Sequence, residues 1–469
     1  MGKQKKNCKV FTPSDVVKKM LDIAGYCENL YGRKILENSC GDGHFLVEIV
    51  SRYIGDCRRN GYNDIKICEG LERDVVGFEI DEDTYQTCLT HLDDLLEKNS
   101  LPNVKWNIRQ ADALKTNMET DFLFVVGNPP YITYSALPNE DREFIKNAFE
   151  VCKDGKPDYY YAFIESAIKH MSNNGRLVYL VPSNFFKTRF AHKLRSAMLP
   201  LLTDIYDYTE QKIFDSALTA SAIIVCDKSI KAKKVKYHDV ASGRTFQEDK
   251  ELLMERWIFC SLISTEEVTE TKIRFGDIYP ASSSIATLYN DAFVIRSDDA
   301  TKIVESEVLR VAVSPKSMSN KKSEYIIFPY YYDNEGNFQR YPEEIFEISF
   351  PCAVKHLETY KEKLGARDSD RTTKWYEYGR SQAIAHLNQS KLLLSTLVTN
   401  KVKVYELDEN TIPYSGIYII ASPGNKLSDA KRILESDDFL NYAKKVGIHA
   451  NGTSIRISIR DVNEYQFCE

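Results

Sequence analysis

The tetrapeptide Asn128-Pro129-Pro130-Tyr131 combines residue types that can hold a planar amine. Two consecutive prolines fix the backbone and remove two N–H donors, which leaves their carbonyl oxygens available as acceptors. Asn128 adds a side-chain carbonyl, and Tyr131 adds a flat aromatic ring. An exocyclic amine on a planar ring could donate both of its hydrogens to these acceptors while the ring stacks on Tyr131.

Apolar runs in the first half of the chain would position this tetrapeptide at the end of a strand. The run from Phe122 to Gly127 is continuous, which is typical of a buried parallel strand. Such runs alternate with amphipathic stretches, and this alternation indicates βαβ units and a parallel sheet. Predicted strands cover 34–38, 75–80, 104–109, 122–126, 177–181, 205–208, 221–226 and 235–237. Predicted helices cover 14–30, 45–54, 82–99, 159–171 and 183–201.

Further motifs precede and follow the tetrapeptide in a fixed order. They are Phe11-Thr12-Pro13-Ser14-Asp15, Leu36-Glu37-Asn38-Ser39-Cys40-Gly41-Asp42-Gly43, Gly77-Phe78-Glu79-Ile80-Asp81, Gln110-Ala111-Asp112-Ala113, Tyr161-Ala162-Phe163-Ile164-Glu165, Gly175-Arg176-Leu177-Val178 and Ile213-Phe214. The series resembles the S-adenosylmethionine-dependent amino-methyltransferases, specifically the gamma-class (TaqI-like) type II DNA adenine-N6 methyltransferases. Asn38-Ser39 stands where that family more usually has Pro-Ala. The resemblance implies an α/β fold with a Rossmann-like, seven-stranded mixed sheet that has an antiparallel edge strand.

The resemblance also implies an S-adenosylmethionine site in the first half. Gly41 and Gly43 would allow close backbone approach at the turn after the first strand. Glu79 would bind the ribose hydroxyls, and Asp112 would accept a hydrogen bond from the adenine amine. The other cofactor-binding residues that the resemblance implies are Thr12, Glu37, Cys40, Ala113 and Asn128, with Cys40 as a packing residue near the cofactor.

The implied reaction is methyl transfer to an adenine amine. The Asn128 side chain and the Pro129 carbonyl would hold the two amine hydrogens out of the ring plane, which favours the tetrahedral nitrogen of the transition state. The target amine is buried in duplex DNA, so the nucleotide must leave the base stack. Tyr131 would provide one stacking face, and Phe214 matches the position of a second aromatic contact in the family.

Composition is typical of a soluble, cytoplasmic protein. Hydrophobic residues make up 43% of the 469 residues and charged residues 28%, with no run of about 18 apolar residues that would suggest a membrane span. The eleven cysteines are scattered without a CxxC pair, so neither a disulfide framework nor a metal site is expected. The net charge of −6 does not by itself favour nucleic acid, but a basic cleft can coexist with an acidic exterior.

The amino-acid composition changes after about residue 244, where the chain becomes rich in tyrosine and serine. Residues 282–295 and 375–380 resemble elements of the target-recognition domain in the same family. We therefore expect a methyltransferase catalytic domain at 1–243 and an α+β target-recognition domain that binds double-stranded DNA at 244–469. A monomer is expected, and a cognate restriction endonuclease acting on the same site is a possible partner.

Other functions remain open at this point. A glutamine side-chain amide presents the same two N–H donors, so a protein glutamine-N5 methyltransferase would use the same tetrapeptide, although such enzymes resemble a shorter chain. Adenine in structured RNA is the nearer rival. A type I modification subunit, a fused endonuclease and an inactive DNA-binding module each fit the motifs less well.

Overall fold

The structure is a computed structural model that describes residues 12–209, 211, 213, 220–259, 272–296, 300–450 and 454–468. It comprises two compact units, Met1–Glu266 and Glu267–Glu469, here called the N-terminal and C-terminal units. Phe214, expected to stack on the substrate, lies outside the described residues.

A nine-stranded mixed sheet forms the centre of the N-terminal unit. Its strands are β1 (Ile35–Glu37), β2 (Val75–Glu79), β3 (Asn107–Gln110), β4 (Phe122–Gly127), β5 (Met171–Pro182), β6 (Leu202–Asp207), β7 (Ser221–Asp227), β8 (Lys234–Asp239) and β9 (Arg244–Asp249). The spatial order is β3-β2-β1-β4-β5-β7-β6-β8-β9. The first five strands in that order are parallel, and β7 runs antiparallel to both of its neighbours.

Helices cover both faces of this sheet. They are α1 (Ser14–Ala24), α2 (His44–Arg59), α3 (Asp64–Asp74), α4 (Glu82–Lys98), α5 (Asn139–Ala148), α6 (Tyr160–His170) and α7 (His192–Met198). Successive strand residues enter two separate cores, as side chains on a strand alternate between faces. Phe124 joins the core that contains residues of α1, α2, α3 and α4, whereas Val125 joins the core that contains residues of α5, α6 and α7.

Three helical elements differ from the sequence predictions. The first helix ends at Ala24 rather than near residue 30, because Gly25 takes a left-handed conformation (φ 76°) that terminates it. The helix α3, directly before β2, was not predicted from the sequence. The helix predicted over 183–201 is reduced to 3₁₀ turns and the short α7. Buried Arg195 donates hydrogen bonds to the carbonyls of Phe185 and Thr188, and these bonds hold the backbone in tight turns.

The sheet and the domain boundary also need correction. Nine strands are present instead of seven. The expected antiparallel edge strand is β9, whereas a second antiparallel strand, β7, is fully buried in the interior of the sheet. The boundary expected at residue 243 falls in the hairpin between β8 and β9. Trp257 lies beyond it yet is completely buried against Phe185 and Phe186, so the compact unit extends to Glu266.

The C-terminal unit mixes short strands and helices. Its strands are β10 (Ile273–Arg274), β11 (Ala281–Ser283), β12 (Val294–Ile295), β13 (Leu309–Val313), β14 (Glu324–Ile327), β15 (Tyr330–Tyr332), β16 (Phe338–Arg340), β17 (Lys391–Leu394), β18 (Leu397–Val398), β19 (Val404–Leu407), β20 (Ile412–Pro413), β21 (Ile417–Ile419), β22 (Ile448–His449), β23 (Ile455–Arg456) and β24 (Gln466–Phe467). Its helices are α8 (Phe275–Ile278), α9 (Asn290–Phe293), α10 (Ala300–Ile303), α11 (Pro315–Asn320), α12 (Glu343–Ser349), α13 (Pro351–Glu358), α14 (Lys361–Gly365), α15 (Leu427–Leu434), α16 (Asp437–Val446) and α17 (Ile459–Asn463). Two four-stranded sheets, β11-β21-β17-β19 and β12-β14-β13-β20, are the largest.

Aromatic side chains dominate one core of this unit. Tyr330 and Tyr378 are buried with ring centroids 5.2 Å apart, and Phe346 stacks on Tyr376 at 4.5 Å. Tyr376 and Tyr378 therefore pack internally, although both belong to the segment 375–380 that the sequence likened to a recognition element. Across the part of the chain that is described, no helix has the length and apolar character needed to cross a membrane.

Candidate active site

The glycine turn after β1 lies at the carboxyl end of the parallel strands. Gly41 and Gly43 both have left-handed backbones, with φ of 55° and 93°. A Cβ atom on Gly43 would lie 2.8 Å from the Sγ of Cys88, so a larger residue cannot fit there without displacing α4. A Cβ atom on Gly41 would meet no heavy atom within 4 Å, so the turn faces open space on that side.

Glu79 joins this turn to the end of β2. Its Oε2 accepts a hydrogen bond from the Gly41 N–H at 2.9 Å, and its Oε1 accepts one from the Asp81 N–H at 2.8 Å. Burial raises the pKa of Glu79, although these backbone donors act in the opposite direction. Each carboxylate oxygen keeps a second lone pair, so the group can still accept from a diol.

Glu37, the last residue of β1, is a buried carboxyl group. Its Oε2 accepts no hydrogen bond from any described residue. Burial raises its pKa well above the ordinary value, and Cys88, Glu79 and Asp42 raise it further. Because an uncompensated buried carboxylate is costly, this position fits a cationic ligand group. A Cβ atom on Gly127 would lie 3.4 Å from the Glu37 Cγ, so Glu37 lies beside the end of β4.

Asp112 follows β3 at the same edge of the sheet. Its Oδ1 accepts from the Leu114 N–H at 3.0 Å, whereas its Oδ2 is buried without a hydrogen bond from the described residues. The Lys115 ammonium is 3.9 Å from Oδ2. The Ala111 N–H donates to the Glu79 carbonyl at 3.0 Å and thereby holds the ends of β2 and β3 together. The neighbouring Ala113 and Cys40 are buried in the two cores of the unit.

Asn128 follows β4 and is positioned by two residues from elsewhere in the chain. Its Nδ2 donates to the Thr12 Oγ1 at 3.2 Å, and its backbone carbonyl accepts from the Ser39 hydroxyl at 3.3 Å. Thr12 is itself buried, directly before α1. The structure thus places Thr12 against the side chain of Asn128, which gives it an orienting contact that the sequence did not reveal.

Tyr131 is half-buried, and both its hydroxyl group and its ring make contacts that fix the side chain. Its hydroxyl donates to the Leu180 carbonyl of β5 at 3.0 Å, and its ring meets the edge of Tyr160 with centroids 6.2 Å apart. Burial raises the pKa of Tyr131, so the phenol stays neutral. Pro129 is buried, and the Pro130 carbonyl accepts from the Ile132 N–H at 3.1 Å.

Two polar contacts near the site were missed by the sequence reasoning. The Tyr160 hydroxyl donates to the Asn184 Oδ1 at 3.1 Å, and the Asn184 amide in turn hydrogen-bonds Asp158, whose pKa is raised by burial. The Tyr179 hydroxyl donates to the Asn38 Oδ1 at 2.5 Å. Asn38 stands where the family resemblance has proline, and that departure was the one available signal. No sequence signal distinguished Asp158 or Asn184, because polar residues at loop ends are common.

Residues 45–214 match the family described as the Eco57I restriction-modification methylase. The likeness to that family is confined to this part of the chain. The match covers β2 to β6 together with the tetrapeptide, Glu79 and Asp112, whereas Thr12, Glu37 and the glycine turn precede it.

Individual relatives of the chain are named as type II methyltransferases. The type II methyltransferase M.BstVI of Geobacillus stearothermophilus is 24% identical over 91% of this chain and 83% of its own length. The type II methyltransferase M.PaeR7I of Pseudomonas aeruginosa is 31% identical, but over 40% of this chain and 34% of its own length. Among solved structures, the type IIL restriction-modification enzyme MmeI, determined with DNA, has a TM-score of 0.60 at 15% identity. That match covers 95% of this chain and 63% of MmeI, and it shows a shared fold.

Proposed function

We propose that this protein transfers a methyl group from S-adenosylmethionine to N6 of an adenine extruded from double-stranded DNA, as the modification enzyme of a restriction-modification system. The observation that supports this most directly is the position of Asn128. Its side chain is oriented by Thr12, and it follows Gly127, the last residue of β4, where an added Cβ atom would lie 3.4 Å from the Cγ of the buried Glu37. An amide that suits an amine therefore adjoins a carboxyl group that suits a cation.

The cofactor would be held by the residues around the glycine turn. Glu37 has the buried, uncompensated carboxyl group that a sulfonium or ammonium ion would neutralise. Glu79 would accept from the ribose hydroxyls, and the Asp112 Oδ2 would accept from the adenine amine. When bound, S-adenosylmethionine supplies an electrophilic methyl group. Gly41 borders the open space in which its methionine part would lie.

The chain's own part in transfer is to hold the acceptor nitrogen. The Asn128 side-chain oxygen and the Pro129 carbonyl would each accept one N–H of the substrate amine. These two contacts pull the nitrogen toward tetrahedral geometry, so they stabilise the transition state more than the ground state. A strong general base is unnecessary, because the amine proton becomes acidic only as the methyl group arrives.

Tyr131 would stack against the extruded base. Its ring is fixed by Leu180 and Tyr160, so little side-chain freedom is lost when a base packs on it. Stacking on an aromatic residue contributes about 1–3 kcal/mol per base. Phe214 would supply the second aromatic contact. Residues 267–469 would recognise the target sequence, and the similarity to M.BstVI across 91% of the chain supports a shared two-part plan.

A methylation assay with tritiated S-adenosylmethionine tests this function. Duplex DNA, structured RNA and a glutamine-containing release-factor peptide would be offered to the purified chain and to Asn128→Ala. We expect label in duplex DNA alone, with single-molecule sequencing locating N6-methyladenine in one sequence context. Label in RNA or peptide, or at a cytosine, would overturn the proposal. Label that Asn128→Ala also incorporates would show that another site is responsible.

A further inference from the structure

The five residues after Tyr131, residues 132–136, form a rigid segment that we call the post-catalytic loop. The Tyr134 N–H donates to the Asp158 Oδ1 at 3.3 Å, and the Ala136 N–H donates to the Thr133 carbonyl at 2.9 Å. Arg142 of α5 donates from Nε to the Tyr134 carbonyl at 2.9 Å and from Nη2 to the Ser135 carbonyl at 2.7 Å. These hydrogen bonds define the backbone conformation of the loop.

Two cations converge on this loop. The Arg142 guanidinium carbon and the Lys146 Nζ each lie 5.2 Å from the centroid of the Tyr134 ring. Arg142 makes its third contact, at 3.1 Å, with the Asn139 Oδ1, so all of its hydrogen-bond partners are uncharged oxygens. The ring attracts each cation, whereas the two like charges repel one another, and an anion near both would offset that repulsion.

Neither cation is neutralised within the part of the chain that is described. No carboxylate oxygen there lies within 4.0 Å of Arg142 or Lys146, although α5 also carries Glu140, Asp141 and Glu143. Asp141 instead pairs with Lys115 at 3.0 Å. In a chain with a net charge of −6, two unpaired positive charges beside the catalytic tetrapeptide form a local site for an anion.

Two hydroxyl groups complete the site. Thr133 and Ser135 are both exposed, and their oxygens are 3.3 Å apart. Hydroxyl groups and cations are the usual donors to nucleic-acid phosphates. Thr133 is two residues from Tyr131, at most about 7 Å along the chain, so a phosphate there could belong to a nucleotide whose base contacts Tyr131.

We propose that the post-catalytic loop and Lys146 bind a phosphodiester group adjacent to the extruded nucleotide. The inference rests on the proposed function, since it assumes a nucleic-acid strand at Tyr131. It assigns a strand-positioning contact to the N-terminal unit, separate from sequence recognition by the C-terminal unit. Arg142 shapes the loop, whereas Lys146, Thr133 and Ser135 contact the phosphate.

The salt dependence of DNA binding provides the test. The probe is a duplex with one unpaired adenine opposite an abasic site, which is cheap to extrude. Lys146→Ala should remove one phosphate contact, so the plot of log binding constant against log salt concentration should become shallower by about 0.9. Between 50 and 200 mM salt, the variant should therefore lose about threefold less affinity than the unmodified protein. Lys66→Ala is the matched control, since Lys66 also lies over a tyrosine ring, Tyr62 at 5.9 Å, but on α3. Its slope should equal that of the unmodified protein.

A neutral methylphosphonate beside the unpaired adenine gives a second readout. It should weaken binding by the unmodified protein but not weaken Lys146→Ala further, because both changes remove the same contact. Full additivity of the two changes, or equal slopes for Lys146→Ala and Lys66→Ala, would overturn the inference. S-adenosylmethionine binding should be unchanged in both variants, which shows that they fold. If the unmodified protein neither binds nor methylates the duplex, the proposed function fails rather than this inference alone.

Discussion

At the scale of single residues, the candidate site depends on side chains that orient one another. Asn128 is oriented by Thr12, a residue 116 positions earlier in the chain. Glu37 and Glu79 bring two carboxyl groups with raised pKa values to one end of the sheet. A site of this kind is costly to the empty protein, and a cationic ligand relieves that cost.

The orienting contact can be separated from the catalytic one. Asn128→Ala should lower the methylation rate by about 100-fold or more, because it removes a contact that is strongest in the transition state. Thr12→Val leaves the side-chain oxygen of Asn128 in place and removes the hydrogen bond from the Asn128 amide to Thr12. That bond is worth about 1 kcal/mol, so the rate should fall about fivefold. Single-turnover kinetics with a saturating cofactor would measure both. Equal losses would mean that Thr12 does more than orient the amide.

Cofactor affinity should depend on pH through Glu37. The raised pKa keeps this carboxyl group protonated in the free protein at pH values where an ordinary glutamate is ionised. A bound cation favours the ionised form, so binding releases a proton and affinity increases as the pH rises toward that pKa. Titration calorimetry in buffers of different ionisation enthalpy measures the released proton.

Glu37→Gln is the control for that measurement, since it should abolish proton release. In the unliganded protein the raised pKa acts on stability as well. The folded state binds more protons than the unfolded state, so stability should fall as the pH rises from the ordinary glutamate range through the pKa of Glu37. Proton release that persists in Glu37→Gln would assign the effect to another group.

At the scale of elements, the turn between β1 and α2 matters because it borders both the core and the candidate cofactor site. Its two left-handed glycines have different surroundings. Gly43 faces the Sγ of Cys88, whereas Gly41 faces open space. The same substitution should therefore have different consequences at the two positions.

Gly41→Ala should lower the free energy of unfolding by only about 1 kcal/mol, the cost of a left-handed alanine, but should weaken cofactor binding because its methyl group enters the open space. Gly43→Ala should cost a further 1–3 kcal/mol or so because it also meets Cys88. Chemical denaturation and cofactor titration would separate the two effects. Cys88→Ala should restore part of the stability in the Gly43→Ala background, and no recovery would exclude the steric explanation.

At the scale of the whole molecule, the chain consists of two compact units, for which we propose methyl transfer in the first and target recognition in the second. The boundary between them decides how the two roles can be tested apart. The hairpin of β8 and β9 and the buried Trp257 belong to the first unit, so a cut at residue 243 would open its core.

A fragment of residues 1–266 should fold and bind S-adenosylmethionine but lose site-specific methylation. A fragment of residues 1–243 should be less stable by about 3–5 kcal/mol, the usual cost of removing one buried tryptophan. Thermal unfolding with and without cofactor compares the two fragments, and sequencing of methylated DNA tests specificity. Site-specific methylation by the 1–266 fragment would refute the proposed role of the second unit.

The sequence by itself determined the α/β class and the strand ends that carry the candidate functional residues. Those features are local, because hydrophobic runs specify strands and parallel strands bring their carboxyl ends to one edge. Glu37, Glu79, Asp112 and Asn128 each follow or end such a strand, which is why their neighbourhood was predictable. The strand β9 and the domain boundary were not predicted, since β9 is largely polar and its only apolar residue is Phe246.

Only the tertiary structure decided which side chains meet. The hydrogen bonds from Asn128 to Thr12 and from Tyr131 to Leu180 join residues far apart in the chain, and no local pattern encodes such pairs. The same holds for segment 183–201, where helical periodicity was overridden because buried Arg195 binds two loop carbonyls. Local propensity is worth tenths of a kcal/mol per residue, whereas leaving a buried charge unpaired costs several, so the tertiary contact prevails.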